Sequence, residues 1–328
     1  MKNKQLEVMQ TVEKSMDGLI STYLKQIEEN WQPSDFFPDS TQPNFLNEVK
    51  ELQEVAQELD PELLAVLVGD AVTEEALPTY TSWLMDVEGV DQVDVNGWSK
   101  WVRKWSSEEN RHGDILTRYL YLSGRVDMKE MEISTQHLIS DGFDLGTGRD
   151  PYMNFIYTSF QEMATNISHR RVASLAQKAG DRRLARVCGV VAADEMRHAR
   201  AYEHFVKLFL ELDPNGVILA FDDIMKRKVA MPAHFLRERG DAIGELFVPF
   251  SAVAQRLGVY TTQDYIDILK DLLVEWKIGE VTGLNDAAEK ARDYLMALPT
   301  RLERIAKRVK ISDERYDFKW ISKAGAVA

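Results

Sequence analysis

The chain has 328 residues, 45% of them hydrophobic, and 53 acidic against 40 basic side chains give it a formal net charge of −13. The apolar content supports a large core, while the acidic balance argues against nucleic acid, whose phosphates need a basic surface. One cysteine, Cys188, excludes an intrachain disulfide and suits a reducing compartment, and no apolar run reaches the ~18 residues of a membrane helix.

In chain order, nearly every segment has helical periodicity and strand-type alternation is scarce, which predicts an all-α fold. Met1 to Lys14 has neither the apolar core of a secretory signal nor the acid-poor, Arg-rich look of a transit peptide, so a cytoplasmic protein is expected. Residues 5–29 read as an opening helix, the bulk of an N-terminal element at 1–30, followed by an extended aromatic segment, Trp31 to Pro38, stiffened by prolines. A second helix covers about Asn44 to Leu59, and Pro61 opens a third that carries Glu74. Pro78 cannot donate to the carbonyl of residue 74, so that helix is expected to kink or loosen right after Glu74. After a helix around Glu109 comes a long passage from Ser123 to Pro151, with its own helix near Asp127 to Ser140 and a Gly-rich stretch, Gly142 to Asp150. Phe155, Thr158, Glu162, Thr165 and His169 share the next helix face, residues 181–211 form another helix, and further helices fill 215–328. The length would allow two domains, but with no Pro, Gly or Ser linker beyond the central helices one domain over 1–328 is expected.

Two stretches in this series are the same pattern written twice: Glu108-Glu109-Asn110-Arg111-His112 and Asp194-Glu195-Met196-Arg197-His198. A Glu and a His three positions apart lie on one helix face and can offer an oxygen and a nitrogen to a common point. Single carboxylates precede them at matching places, Glu74 at 109 − 74 = 35 residues before and Glu162 at 195 − 162 = 33 before. Glu195 and His198 fall in the apolar stripe Leu184, Cys188, Val191, Tyr202, Phe205, and His112 shares a face with Trp98, Trp101 and Trp105. Unpaired carboxylates in such an interface cost roughly several kcal/mol each, so something positive must neutralise them. Arg111 and Arg197 are at hand but project about 100° from their neighbours. Four carboxylates carry −4, which two Fe(II) or Mn(II) ions balance, with two neutral histidines completing the arrangement known from di-iron carboxylate bundles. A long crossover between the halves fits a ferritin-like four-helix bundle at 61–211 with additional helices packed around it, not a simple up-down bundle.

Longer runs then carry a resemblance. Trp31-Gln32-Pro33, the run Gly69 to Tyr80, Glu108 to Asp114, Tyr119 to Met128, Phe155 to Glu162, the Asp194 motif, Met231-Pro232-Ala233-His234 and Phe250 to Tyr260 together closely resemble the soluble acyl-[acyl-carrier-protein] desaturases, typified by the plant stearoyl enzymes. The likeness extends from about Trp31 to Leu302. It implies a homodimer with two iron ions that converts a saturated acyl thioester to a cis-alkene for unsaturated fatty acid synthesis, using O2 and electrons from a ferredoxin-type donor. If the chain is a mature plant form, the plastid stroma replaces the cytoplasm as the expected compartment.

Carried over position by position, the family's metal ligands fall on Glu74, Glu109, His112, Glu162, Glu195 and His198, the set the repeat picks out. Thr165 matches the family threonine on the oxygen-binding side of the cluster, and Trp31 matches the tryptophan assigned to electron entry through Asp194 and a ligand histidine. Asp194 and Glu108 are expected to orient the histidines through their non-ligating ring nitrogens, either four residues on or across the bundle. Trp83, Val87, Leu145, Met153 and Asn154 fall where the acyl slot is lined, and the bulk of Trp83 and Asn154 predicts a preference for chains shorter than stearoyl. The acidic carrier protein needs a local basic patch on this acidic chain, for which Lys226-Arg227-Lys228, Arg170-Arg171 and Arg182-Arg183 are the candidates. The other readings are an iron-storage bundle, which needs little more than half this length, and a ribonucleotide reductase small subunit, which usually begins its ligand set with Asp rather than Glu74.

Overall fold

The protein, seen in a computed structural model, is described for residues 2–227, 229–308, 310 and 312–322. Among these residues every regular element is a helix, and the one strand-type pairing is a single antiparallel bridge between Val126 and Ile321. The helices in order are α1 (Lys2–Glu13), α2 (Met16–Tyr23), α3 (Phe45–Ala56), α4 (Pro61–Glu75), α5 (Leu77–Met85), α6 (Gly97–Ser123) and α7 (Met128–Asp141). They continue as α8 (Pro151–Lys178), α9 (Arg182–Leu212), α10 (Pro214–Arg227), α11 (Phe247–Leu257), α12 (Thr262–Glu275) and α13 (Asp286–Ala306).

Four of these make the central bundle, with α4 against α6, α8 against α9, and α6 and α9 in contact across it. Their limits follow from local chemistry. Asp60 accepts from the Glu62 amide (2.7 Å) with Pro61 at the first helical position, and Asn96 caps α6 through the Ser99 amide (3.0 Å). Asp150 with Pro151 opens α8, Asp181 caps α9 at the Leu184 amide (2.8 Å), and Gly124 ends α6 with φ 65°. Only residues 179–181 separate α8 from α9, which makes the two antiparallel neighbours, whereas α7 and the loop 142–150 form the long crossover from α6 to α8. This is the ferritin-like arrangement, with α10 to α13 packed on its flank. One continuous hydrophobic cluster runs from Val8 to Trp320. Trp320 is fully buried, donates to Ser134 (2.8 Å), and its carbonyl accepts from the Asp127 amide (2.8 Å), so the last described residues pin the start of α7.

Two details differ from expectation. The single opening helix is broken into α1 and α2, with a short 3-10 turn at Ile27–Glu29. The break wraps the chain around the start of α6, where Glu13 accepts the Gly97 amide (3.1 Å) and Met16 packs against Gly97. At Pro78 the helix does more than kink. It stops at Glu75 and restarts at Leu77, with Pro78 in the first turn of α5, so Glu74 stands on the last turn of α4.

Candidate metal centre

The four bundle helices each contribute to one buried cluster: Glu74 from α4, Glu109 and His112 from α6, Glu162 from α8, and Glu195 and His198 from α9. The periodicity that puts Trp98, Trp101 and Trp105 on the inner face of α6 carries Glu109 and His112 inward with them. Possible ligand atoms of Glu74, Glu109, His112 and Glu195 all lie within 4.8 Å of one another, as do those of Glu109, Glu162 and His198, so Glu109 belongs to both groups. His112 Nδ1 is 2.9 Å from Glu195 Oε1 and 3.2 Å from Glu109 Oε2, and His198 Nδ1 is 2.5 Å from Glu109 Oε1 and 3.7 Å from Glu162 Oε2.

These residues fit a pair of metal ions. Donor atoms each about 2.1 Å from one ion at right angles lie about 3 Å apart, the range seen here. Despite that closeness His112 Nδ1, His198 Nδ1, Glu109 Oε1 and Glu195 Oε1 are buried and make no hydrogen bond. Nor do the protein's own charges balance. Burial and the neighbouring Glu195 push the Glu74 carboxyl up to about 7, and burial with Glu109 and Glu195 raises Glu162 well above the carboxylate range. Burial opposes charge on His198 too, yet Glu109 and Glu108 pull its imidazole up to about 9. Crowded, desolvated carboxylates of this kind are what cations neutralise.

A second ring of contacts fixes the first. Trp105 Nε1 donates to Glu162 Oε1 (3.0 Å), His169 Nε2 lies 2.9 Å from Glu74 Oε1, and the Thr165 hydroxyl donates to Glu195 Oε2. The histidines are served across the bundle, not along their own helices: Glu108 Oε2 faces His198 Nε2 at 3.0 Å and Asp194 Oδ2 faces His112 Nε2 at 3.6 Å. Arg111 and Arg197 do not neutralise the ligands. Arg197 binds Asp194 Oδ1 (2.7 Å) and Glu108, and Arg111 binds Asp194 Oδ2 (2.9 Å). Although burial opposes it, His112 and Arg197 hold the Asp194 carboxyl well below the usual range. Trp31 Nε1 donates to the same Asp194 oxygen (3.0 Å), and its ring lies parallel to His112, centroids 6.1 Å apart, under the Arg111 guanidinium at 4.2 Å.

From the cluster a cavity of about 560 Å³ runs outward between α4, α8, α11, α12 and α13. Glu74, Glu109, Glu162, Glu195 and Thr165 face its inner part, and most of the rest is apolar, including Val66, Phe250, Val229 and Leu298. On the side toward α5 it is lined by Leu77, Tyr80 and Gln161. Trp83, Val87, Leu145, Met153 and Asn154 lie outside its lining. Val87, Met153 and Asn154 are buried, Trp83 and Leu145 are half-buried, and Trp83 stands edge-on to Tyr157 at 5.4 Å. Much of the suspected basic patches is paired within the chain: Lys226 with Asp222 (2.6 Å), Arg227 with Asp223 (2.7 Å) and Arg171 with Asp264 (2.6 Å), while Arg183 donates to the Phe36 carbonyl (2.7 Å). Lys228 lies outside the described residues.

Sequence reasoning missed the roles of Trp105 and His169. The available signals were their spacings, since Trp105 precedes Glu109 by four residues and His169 follows Glu162 by seven, both inward-facing positions.

Residues 4–322 match the sequence profile of the fatty acid desaturase family. The chain belongs to that family. It is an enzyme, a fatty acid desaturase that introduces double bonds into acyl chains. Among similar proteins, the chloroplastic acyl-[acyl-carrier-protein] desaturase of Cucumis sativus is 48% identical over 308 residues, 93% of this chain and 77% of that one. The chloroplastic stearoyl-[acyl-carrier-protein] 9-desaturase of Spinacia oleracea is 46% identical over 313 residues, 94% and 78% of the two chains. That of Ricinus communis is 47% identical over 308 residues, 93% and 77%. In fold, the chain is similar to the X-ray structure of DesA2, a candidate acyl-ACP desaturase from Mycobacterium tuberculosis H37Rv, with TM-score 0.53 at 16% identity over 87% of this chain and 99% of that one. Membership of the desaturase family sets aside the iron-storage and reductase readings. Among the described residues, no helix is long and apolar enough to cross a membrane.

Proposed function

We propose that this desaturase acts on acyl chains carried by acyl carrier protein, forming a cis double bond at a di-iron centre held by Glu74, Glu109, His112, Glu162, Glu195 and His198. The observation that carries the reading is the cavity: an apolar slot whose inner part is walled by four of those carboxylates, Glu74, Glu109, Glu162 and Glu195. A methylene in mid-chain has no acidic hydrogen, so side-chain acids and bases cannot remove it. Two iron ions, with O2 and two electrons, supply the oxidising power for that step. The chain's own residues do the rest. The slot excludes water and lays one carbon pair beside the cluster. Glu108 and Asp194 fix the imidazoles, and Trp105, His169 and Thr165 fix the carboxylates. The contact series Trp31, Asp194, His112 reaches from the half-buried indole to the cluster, and in this reading it admits electrons from a ferredoxin-type donor. The same reading takes residues 1–328 as one domain that works as a homodimer, in the cytoplasm or a plastid stroma.

The test is product analysis. The purified chain, loaded with Fe(II), is given O2, reduced ferredoxin and acyl carrier protein charged with chains of several lengths. Two irons per chain and a cis-alkene still thioester-linked to the carrier are expected. An iron-loaded protein that desaturates none of them overturns the reading.

A further inference from the structure

The slot needs a mouth wide enough to admit an acyl chain that stays tethered to its carrier. On α13, Leu298, Leu302 and Ile305 line the cavity, and Ile305 is 60% exposed, so the cavity reaches the surface along the end of this helix. The exposed Thr262, in the first turn of α12, lines it as well. Residues 301–308 hold four cations, Arg301, Arg304, Lys307 and Arg308, against one acid, Glu303. Glu303 is itself bound to Lys270 at 2.6 Å. Arg304, Lys307 and Arg308 are exposed, and none of them has an ion-pair partner among the described residues. With about 100° of rotation per residue, Arg301 and Arg304 project along one side of Ile305 while Lys307, the C-cap, points away. Arg308, in the turn that follows α13, donates its amide to the Ile305 carbonyl (2.9 Å), which keeps it beside Ile305. Arg301 is engaged by the Tyr294 ring at 5.5 Å, which leaves Arg304 and Arg308 free.

The basic patches picked out in the sequence are placed differently. The chain carries −13 overall, and Lys226, Arg227 and Arg171 are already neutralised by their own neighbours. Arg170 and Arg182 are exposed but do not line the cavity. A partner that must bring an acyl chain to Ile305 therefore meets unpaired positive charge beside the mouth, on a chain that is acidic overall. Such charge favours the approach of an acidic surface there.

We propose that the end of α13, with Arg304 and Arg308 beside Ile305, is the face on which the acidic surface of acyl carrier protein docks while its acyl chain enters the slot. The inference rests on the function proposed above, and the test separates the two. Binding of palmitoyl-charged carrier protein to the iron-loaded full chain is measured by calorimetry at low and at physiological salt, beside kcat and KM. For Arg304→Glu/Arg308→Glu, Kd and KM are expected to rise about tenfold at low salt with kcat kept, and the salt dependence shown by the parent is expected to flatten. The neutral pair Arg304→Gln/Arg308→Gln is expected to fall between, and Lys226→Glu to change Kd little. An unaltered Kd in both double variants, with the parent binding normally, overturns the docking face and leaves the desaturase reading standing. A parent that binds no charged carrier at all removes both. Anionic phosphatidylglycerol vesicles are the remaining arm: vesicle binding lost in the double variants while carrier binding persists assigns the face to lipid and overturns the proposal.

Discussion

Glu74 is the proposed ligand with the weakest backbone support, because α4 ends one residue after it and Ala76 belongs to neither helix. Its partner His169, buried on α8 with Nε2 2.9 Å from Glu74 Oε1, makes up for that by holding the carboxylate from across the bundle. Replacing His169 by Leu is expected to weaken iron binding by about 10- to 100-fold, the usual cost of losing an outer hydrogen bond to a ligand. His169→Gln, which keeps a donor, is expected to recover much of it. Fe(II) titration with the visible spectrum of the oxidised protein checks this, and equal affinity in His169→Leu and the parent would remove His169 from its positioning role. The six proposed ligands stood out in the sequence because the Glu-x-x-His pattern occurs twice with a lone Glu before each. Of their supports, Glu108 and Asp194 were expected to orient the histidines. That they do so across the bundle, and that His169 holds Glu74, rests on contacts between helices whose rotation about one another no single-helix pattern encodes.

At the scale of helices, much that depends on local chemistry was readable: Pro61 starts a helix and the crossover helix falls close to its expected span, while Pro78 disrupts the chain where expected but as a stop and restart, not a kink. The break between α1 and α2 was not, since it exists to seat Glu13 and Met16 on Gly97, a tertiary contact. The seam between α9 and α12 is equally hidden. There Glu203 of α9 has its carboxyl pushed up to about 7 by burial and by Glu275 of α12, with Arg200 opposing. The raised value means the folded state holds a proton that the unfolded chain has released. Stability from this group is therefore fully present below about 4.5, the unfolded value, and lost as pH rises through about 7. Glu203→Gln is expected to melt close to the parent near pH 4.5 and progressively above it as pH climbs to 8, with the gap constant beyond. Melting curves across that range decide it, and a gap independent of pH would show that Glu203 titrates normally.

Across the whole molecule, the proposed reaction needs three parts of the cavity to cooperate: the exposed cationic end of α13 and its following turn, the four carboxylates in mid-bundle, and the wall toward α5. In the proposed reaction, the distance from the cluster to that wall sets how much chain extends past the reacting carbons; Leu77 and Tyr80 of α5, with Gln161, line the cavity there. One turn beyond Tyr80 stands Trp83, packed edge-on against Tyr157, its indole nitrogen buried without a hydrogen-bond partner. Val87, also buried, lies one further turn along the sequence. Trp83→Leu removes the indole one turn beyond that wall together with its buried, unpartnered nitrogen. Two extra methylenes accommodated there are worth roughly 1.6 kcal/mol at ~0.8 kcal/mol each, or about fifteenfold in relative kcat/KM. The parent is expected to favour acyl chains shorter than stearoyl, and Trp83→Leu to raise the stearoyl-to-palmitoyl ratio of kcat/KM by about that factor with iron content unchanged. Competition assays with the two charged carriers in one reaction measure the ratio directly. A stearoyl optimum in the parent, or a ratio that Trp83→Leu leaves alone, would mean that the chain's end lies somewhere other than against this wall.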